Sequence, residues 1–221
     1  MSPPNNKKKV KNAEYDLKFL LNRGYKKKNA LDFVSNKYLL IKDERNYLGR
    51  KIYSNDLSMR RMVKIQDIET VKNKNIYVDG YNVLITTEII CNHEYDTVIM
   101  CDDGVLRDFK AVFGNYHRNN ITEKALTTII NLLKNYKPLS INFFYDSPVS
   151  KSGELAKLTD LILKKCEVHG TALTNKNVDF EIINQYNKLG GVVATSDGAI
   201  IDRVEEVVDI PYWICKKLVS I

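Results

Sequence analysis

The segment that decides the fold is NIYVDGYNVLITTE, residues Asn75–Glu88. Its first part, Asn75–Asp79, is a short apolar run that ends in Asp-Gly, a pattern that predicts a buried strand followed by a turn. The residues that follow, Asn82–Cys91, are rich in Ile and Thr and are ambiguous by propensity. Because they come directly after a strand, we predict that they form a helix.

The same alternation continues towards the C-terminus. One helical pattern begins at Thr122. Three more cover Ser152–Cys166, Val178–Leu189 and Ala199–Val207. The strands that alternate with the helices are predicted at Asp96–Cys101, Ser140–Tyr145, Glu167–Leu173, Val192–Thr195 and Ile210–Ile214. Strands that alternate with helices imply right-handed crossovers. We therefore predict an α/β domain over residues 75–221, with a doubly wound, mostly parallel sheet and helices on both faces.

The N-terminal third has a different pattern. Residues 1–12 are polar and basic, and we predict a flexible tail there. Apolar residues at helical spacing over residues 13–53 predict a small, basic helical module. Residues 54–74 are mixed and charged, and they are interpreted as a linker to the α/β domain.

Charge is distributed unevenly along the chain. Residues 1–75 contain 19 Lys and Arg against 8 Asp and Glu, whereas the remainder contains 15 against 19. A basic module beside an acidic domain is typical of a nucleic-acid grip attached to a metal-binding catalytic domain. The alternative is that the basic residues are merely solvated, above all in the run Lys7-Lys8-Lys9.

The sequence lacks the motifs that characterise several classes of protein. No apolar run approaches the roughly 20 residues of a membrane helix, and no secretory signal is present, so we expect a cytoplasmic protein with no membrane partner. The chain contains no dinucleotide-binding, P-loop or nucleophile-elbow motif. Its four cysteines form no CxxC pair, which leaves zinc without a ligand set.

Acidic residues fall where the predicted strands end. In a parallel sheet of this kind, ligands bind at the carboxyl ends of the strands. One Asp there is usually a turn or helix-cap residue, but several at one edge repel one another and need a positive partner. Carboxylate oxygens suit Mg²⁺ or Mn²⁺. The candidate metal ligands are Asp79, Asp146, Asp179, Asp197 and Asp202, and Asp102-Asp103 follow the second predicted strand.

Three segments resemble NYN-type nucleases of the PIN superfamily. YVDGYNVLITTE (Tyr77–Glu88) resembles their opening strand, NKNVDFEIINQY (Asn175–Tyr186) their acidic helix, and VVATSDGAIID (Val192–Asp202) their Ser-Asp strand end. The blocks CDDGVLRDF, YDSPVSKSGELA and LLNRGYKKKNAL also resemble an uncharacterised family that joins a small helical domain to a PIN-like domain. Together these similarities cover almost the whole chain.

The resemblance implies a Mg²⁺- or Mn²⁺-dependent endoribonuclease that hydrolyses RNA phosphodiester bonds and leaves a 5′ phosphate. Its catalytic residues would be Asp79, Asp146, Asp179 and Asp197. Relatives often carry a second acid two residues after the Ser-Asp pair, where this chain has Ala199, and Asp202 is the candidate substitute. The resemblance also implies a homodimer. Two alternatives remain open: a non-catalytic RNA-binding protein with a degenerate site, and a small-nucleotide phosphoesterase.

Six residues are candidate substrate contacts. Asn82 is expected either to orient Asp79 or a water molecule, or to cap the following helix. The segment Ser150-Lys151-Ser152 precedes a predicted helix, whose N-terminus favours anions, although an ordinary turn is the alternative. Ser196 lies beside the strand-end acid Asp197, and Arg107 is a candidate contact to the phosphodiester backbone.

Overall fold

The computed structural model describes residues 7–109 and 116–219, which form two compact units. Residues 7–63 and 94–109 form the first, which we call the helical unit, and residues 64–93 and 116–219 form the second, the sheet unit. The helical unit therefore takes in a segment that the sequence assigned to the α/β domain.

Four helices build most of the helical unit: α1 (Lys7–Asn22), α2 (Lys27–Lys37), α3 (Lys42–Lys51) and α4 (Asn55–Met62). The first buries Val10, Ala13, Leu17 and Leu21, which recur at helical spacing along one face. These side chains pack with Ala30, Val34, Leu48 and Ile52 in one apolar core. The hydroxyl of Ser54 caps α4 by accepting a hydrogen bond from the backbone N–H of Leu57 at 3.3 Å.

The N-terminal boundaries differ from those predicted. Helix α1 begins at Lys7, so residues 7–12 are helical rather than part of a tail, and residues 1–6 of that predicted tail lie outside the described residues. The predicted linker, residues 54–74, contains α4 and a 3-10 helix at Ile68–Val71. Polar sequences such as these form helices because one apolar face packs against neighbouring elements, which local composition does not reveal.

The helical unit also contains a two-stranded antiparallel ribbon of β2 (Val98–Met100) and β3 (Leu106–Asp108). The sequence predicted a strand of the parallel sheet at Asp96–Cys101; the strand is confirmed at Val98–Met100, but it pairs antiparallel with β3 and lies outside that sheet. The segment between the two strands reverses the chain through Gly104, whose φ of 78° suits glycine. The carboxylate of Asp102 binds the ammonium group of Lys18 of the same unit at 2.7 Å.

The sheet unit has a four-stranded sheet in which every neighbouring pair is parallel. Its strands are β1 (Asn75–Asp79), β4 (Ser140–Asp146), β5 (Gly170–Asn175) and β6 (Val192–Ala194), in the order β5-β4-β1-β6. The flanking helices are α5 (Gly80–Cys91), α6 (Thr122–Lys134), α7 (Ser152–Lys165), α8 (Val178–Leu189), α9 (Gly198–Ile201) and α10 (Ile210–Val219). This arrangement confirms the predicted α/β class.

The strand order reverses at β1, whose register pairs Val78 with Phe143 of β4 on one side and with Ala194 of β6 on the other. From β1 the chain proceeds to β4 and β5 on one side before it returns to β6 on the other. Such a reversal opens a crevice at the carboxyl ends of the strands, where open α/β sheets bind ligands. Asp79 is the last residue of β1 and lies at this point.

One C-terminal prediction is wrong, and a second is confirmed only over its first residues. The last predicted strand, Ile210–Ile214, is the start of helix α10. Asp209 accepts a hydrogen bond from the backbone N–H of Tyr212 at 3.0 Å, and Pro211 suits a first helical turn, so this apolar run follows helix-start signals. The predicted helix Ala199–Val207 ends early, because α9 stops at Ile201 and Val207 forms bridges with Ile65 and Val193.

Candidate active site at the strand ends

Asp79 is the most deeply buried acid at the carboxyl edge of the sheet, with 2% of its surface exposed. Its Oδ2 atom accepts two hydrogen bonds, from the side-chain amide of Asn82 at 2.5 Å and from the hydroxyl of Thr195 at 2.7 Å. No described donor reaches its Oδ1 atom. The side chain is thus fixed through one oxygen while the other keeps its lone pairs for a ligand.

The residue after Asp79 is a glycine because a side chain at this position would collide with β4. Helix α5 begins at Gly80 directly against β4, and an added Cβ would lie 2.3 Å from Cε1 of Tyr145 and 2.8 Å from the carbonyl oxygen of Phe144. Both distances are too short for any other residue without movement of β4. The Asp-Gly pair therefore places Asp79 at the strand end and Asn82 in the first turn of the helix above it.

Asp197 follows β6 and caps the short helix α9. Its Oδ1 atom accepts the backbone N–H of Ala199 at 2.6 Å, and its own N–H donates to the hydroxyl oxygen of Thr195 at 3.0 Å. Thr195 therefore links the two strand-end acids, since it also donates to Asp79. Ser196 is buried, and its hydroxyl lies 3.5 Å from Oδ1 of Asn82.

Two further acids lie half-buried at the same edge. Asp146 ends β4, and Asp179 lies in the first turn of α8. That helix begins where the side chain of Asn177 accepts the backbone N–H of Phe180 at 3.2 Å. An acid in a first helical turn is stabilised by the helix dipole, which in part offsets the repulsion from its neighbours.

The pKa values show that these four carboxylates act on one another. Burial raises the pKa of Asp79 to about 7, and the charges of Asp197 and Asp179 add to this, while the hydrogen bonds from Thr195 and Asn82 oppose it. Burial also raises the pKa of Asp179, with a further contribution from Asp197. The pKa of Asp146 is raised by burial and then by Asp179. The edge therefore holds negative charge at an energetic cost, which a cation would relieve.

The donor set has the right chemistry for a hard divalent cation, because it consists of carboxylates with hydroxyl and amide neighbours. Within residues 7–109 and 116–219, however, no group of three or more His, Cys, Asp or Glu side chains is arranged to hold a metal ion. Mg²⁺ usually keeps several water molecules and uses only one or two carboxylates. The residues therefore fit a hydrated ion on Asp79 and one neighbour better than a closed cage.

Asp202 stands apart from this arrangement. It follows the C-terminal end of α9, whereas Asp197 precedes the N-terminal end of that helix. Its side chain is exposed, and its main-chain carbonyl accepts a hydrogen bond from the ammonium group of Lys64 at 3.4 Å. Its role as a substitute ligand stays a prediction.

Arg107 does not lie where a substrate contact would. Its guanidinium group is buried in the helical unit and binds Asp103 through two hydrogen bonds of 2.6 Å and 2.9 Å. Arg61 donates to the same carboxylate at 3.0 Å. The prediction that Arg107 contacts a phosphodiester backbone is wrong, because with 2% exposure its side chain is inaccessible to a ligand.

The three residues of the predicted phosphate-binding segment, Ser150-Lys151-Ser152, have different environments. Ser152 is buried, its N–H donates to the carbonyl of Val149 at 3.1 Å, and its hydroxyl donates to the carbonyl of Ser147 at 3.3 Å. These bonds turn Ser152 inward and contradict its predicted role in substrate binding. Ser150 and Lys151 are exposed before α7, and their contact with a phosphate stays a prediction.

Sequence reasoning missed two residues of the site. Thr195 ends the predicted strand Val192–Thr195, but its contact with Asp79 follows from the pairing of Ala194 with Val78, which the sequence does not give. Arg203 lowers the pKa of Asp179 through its positive charge. It follows α9 by two residues and carries no local signal that would distinguish it from a solvated arginine.

The fold and this edge define an α/β protein with a carboxylate cluster at the topological switch point of a parallel sheet. The chain belongs to the family described as a domain of unknown function, DUF5616, whose model matches residues 68–213. A second model, described as a protein of unknown function, DUF434, matches residues 9–64. The chain is 38% identical over 206 residues to the uncharacterized protein MJ0935 of Methanocaldococcus jannaschii, covering 91% of this chain and 94% of that protein. No solved structure matches the chain.

Among the described residues, no helix combines the length and the apolar character that crossing a membrane requires.

Proposed function

We propose that the protein is a divalent-metal-dependent endoribonuclease whose site is the carboxyl edge of the parallel sheet, as in the PIN-like nucleases that its sequence resembles. The observation that carries the proposal is the state of Asp79: a buried carboxylate at the switch point, fixed through Oδ2 by Thr195 and Asn82 and under repulsion from neighbouring acids. A buried acid of this kind is costly, and perturbed carboxylates gather at functional sites.

The chain's own residues would prepare the site in two ways. The donors Thr195 and Asn82 hold Asp79 in one orientation and favour its ionised form, because both hydrogen bonds lower its pKa. Asp197, held by the N–H of Ala199, faces the same edge. Mg²⁺ or Mn²⁺, when bound, would polarise the substrate phosphate and activate a water molecule for hydrolysis. Asp79 and one of its neighbours, Asp146, Asp179 or Asp197, would supply the carboxylate oxygens that hold the ion.

The experiment is cleavage of a labelled, mixed-sequence single-stranded RNA with Mn²⁺, with Mg²⁺ and with EDTA. Wild type is expected to cut only with metal, and Asp79→Asn and Asp197→Asn are expected to be inactive. The matched control is Asp56→Asn, whose carboxylate is exposed and pairs with Arg60 at 2.9 Å. A wild-type protein that binds RNA but never cuts it with metal, with both site variants binding equally well, would refute the nuclease.

A second candidate is a non-catalytic RNA-binding protein that keeps the fold. The observation that favours it is Arg203, whose charge already offsets part of the negative potential at Asp179. In that case Arg203→Ala would leave RNA binding unchanged, and metal would not raise the melting temperature of the wild type. For a nuclease, removal of Arg203 leaves more negative charge at Asp179 and strengthens metal binding.

A cytoplasmic location and a homodimer complete the proposal, and both rest on the sequence alone. Sedimentation at several protein concentrations measures the oligomeric state directly. A monomer at all concentrations would remove the dimer from the proposal and leave the strand-end site untouched.

A further inference from the structure

Helix α1 has an outward face that stays exposed among the described residues. Its buried residues, Val10 to Leu21, occupy one side at helical spacing. At about 100° per residue, the side chains diametrically opposite are those near Tyr15 and Phe19. Both rings are exposed, to 73% and 47% of their surface. We name this face, together with Arg23 directly after the helix, the α1 stripe and define it as Lys8, Lys11, Tyr15, Phe19 and Arg23.

The charged residues of the α1 stripe are all basic, and Lys11 also lines a cavity that Glu14 and Asp96 share. Lys8, Lys11 and Arg23 are exposed, and none of them pairs with a carboxylate among the described residues. The two acids of α1 lie beside the stripe and are already engaged. Glu14 binds Lys51 of α3 at 2.7 Å, and Asp16 binds Lys37 of α2 at 2.6 Å.

Along this face two aromatic rings lie between cationic groups. The guanidinium carbon of Arg23 lies 4.5 Å from the centre of the Phe19 ring, so a cation and an aromatic face are presented together. Tyr15 and Phe19 are one helical turn apart, about 6 Å along the axis. Two exposed rings in a row, flanked by cations that no described carboxylate neutralises, match the two needs of a nucleic acid strand: base stacking and phosphate neutralisation.

We propose that the α1 stripe binds single-stranded RNA, with bases stacked on Tyr15 and Phe19 and phosphates held by Lys8, Lys11 and Arg23. The inference rests on the proposed function in taking RNA as the nucleic acid. A single strand is favoured over a duplex because stacking on a side chain needs a base free of its own stack. The absence of acids from the stripe favours a polyanion over an uncharged apolar partner.

The test is fluorescence anisotropy of a labelled 20-nucleotide oligouridylate with the full chain in EDTA, so that binding is measured without cleavage. The double variant Tyr15→Ala/Phe19→Ala is expected to bind at least about tenfold more weakly. The rings are exposed, so its melting temperature should not change. Phe33→Ala is the matched control, since Phe33 is 63% exposed on α2 outside the stripe, and it should bind like wild type. Tyr15→Phe/Phe19→Tyr should also bind like wild type.

Salt dependence tests the cations separately. For a single strand, removal of one cation that neutralises a phosphate reduces the slope of log K against log salt by about 0.7, so Lys8→Ala/Lys11→Ala should flatten the slope by about 1.4. Lys164→Ala/Lys165→Ala removes the same charge from the exposed end of α7 and should leave the slope unchanged. If both double variants flattened the slope equally, the effect would be one of overall positive charge, and the binding site on the α1 stripe would be refuted.

Three results overturn the proposal: unchanged affinity in the Tyr15/Phe19 double variant, equal weakening in the Phe33 control, or concentration-dependent self-association of the wild type that the double variant abolishes. The last would assign the stripe to a second copy of the chain. Failure of the proposed nuclease is distinguishable. Stripe-dependent binding without metal-dependent cleavage refutes only the nuclease, whereas cleavage with stripe-independent binding refutes only the α1 stripe.

Discussion

The hydroxyl of Thr195 lies 2.7 Å from Oδ2 of Asp79, although 116 residues separate the two along the chain. This contact joins the ends of two neighbouring parallel strands, β1 and β6, at the reversal in strand order. The same hydroxyl oxygen accepts the N–H of Asp197. One threonine therefore sets the position of two acids, and its removal should affect both.

Thr195→Val should shift the pH profile of metal-dependent RNA cleavage. The Thr195 hydrogen bond lowers the pKa of Asp79, so its removal raises that pKa further and leaves less of the carboxylate ionised at neutral pH. The acidic limb of log kcat/KM should therefore move to higher pH, by about one unit. Thr195→Ser keeps the hydroxyl and should restore the wild-type profile. A uniform loss of rate at every pH, with no displacement of the limb, would indicate a merely structural role.

Asp79→Asn should stabilise the metal-free protein at neutral pH. Burial raises the pKa of Asp79 to about 7 in the folded state, well above its ordinary value of 3.8. Because the folded pKa is the higher one, ionisation of Asp79 costs nothing below about pH 4. The cost grows between about pH 4 and 7 and is constant above that. A shift of this size corresponds to about 4 kcal/mol at most.

Urea unfolding in EDTA at pH 4 and pH 8 measures this effect. The variant should gain a few kcal/mol over wild type at pH 8 and little at pH 4, because asparagine can keep the hydrogen bond from Thr195. Asp56→Asn, at an exposed ion pair, should show no such difference. Equal free energies of unfolding for wild type and Asp79→Asn at both pH values would contradict the conclusion that ionisation of buried Asp79 destabilises the protein.

Gly80→Ala should destabilise the sheet unit and weaken activity together. The added methyl group would lie 2.3 Å from the Tyr145 ring, and the neighbouring Phe144 carbonyl cannot yield without moving β4. Overpacking of this kind costs about 1–3 kcal/mol. Gly153→Ala is the matched control: it lies near the start of α7 with nothing within 4 Å, and it should be neutral or slightly stabilising. Thermal melting of both variants beside wild type decides the point.

The fold was predictable where local pattern and tertiary role agree. The run ending at Asp79 is a buried parallel strand, and such runs are recognisable because both faces of the strand are covered. Ile210–Ile214 is equally apolar but is helical, because a short apolar run does not distinguish a buried strand from a buried helix. There the decisive signal was Asp209 followed by Pro211, a helix start.

The sequence likewise predicts the position of some residues of the candidate site and not of others. Asp79, Asp146 and Asp197 could be placed at one edge, because strand ends in a parallel sheet share that edge. Arg107 could not be assigned, since its environment depends on Asp103 and on Arg61, which is 42 residues distant from that acid. Long-range ion pairs of this kind leave no periodic trace in a sequence. The role of the acids in catalysis stays a prediction.

Asp103→Asn should be among the most destabilising single substitutions in the helical unit. Asp103 is fully buried between two arginines that are themselves nearly buried, Arg61 and Arg107. Burial alone would raise its pKa, but the hydrogen bonds and charges of Arg107 and Arg61 hold that pKa below its usual range. Removal of the charge takes from two buried guanidinium groups the carboxylate that they share, at a cost of about 3–5 kcal/mol.

Urea unfolding at pH 7 measures this cost, and Asp102→Asn is the neighbouring control. Asp102 is partly exposed and pairs with Lys18, so its substitution should cost about 1 kcal/mol or less. The pH dependence has a definite sign. A depressed carboxylate pKa contributes stability that is complete above the unfolded value near 4 and is lost as pH falls through the lower folded value. The wild type should therefore lose its advantage over Asp103→Asn in acid, and a difference that persists unchanged below about pH 2 would contradict the buried ion triad.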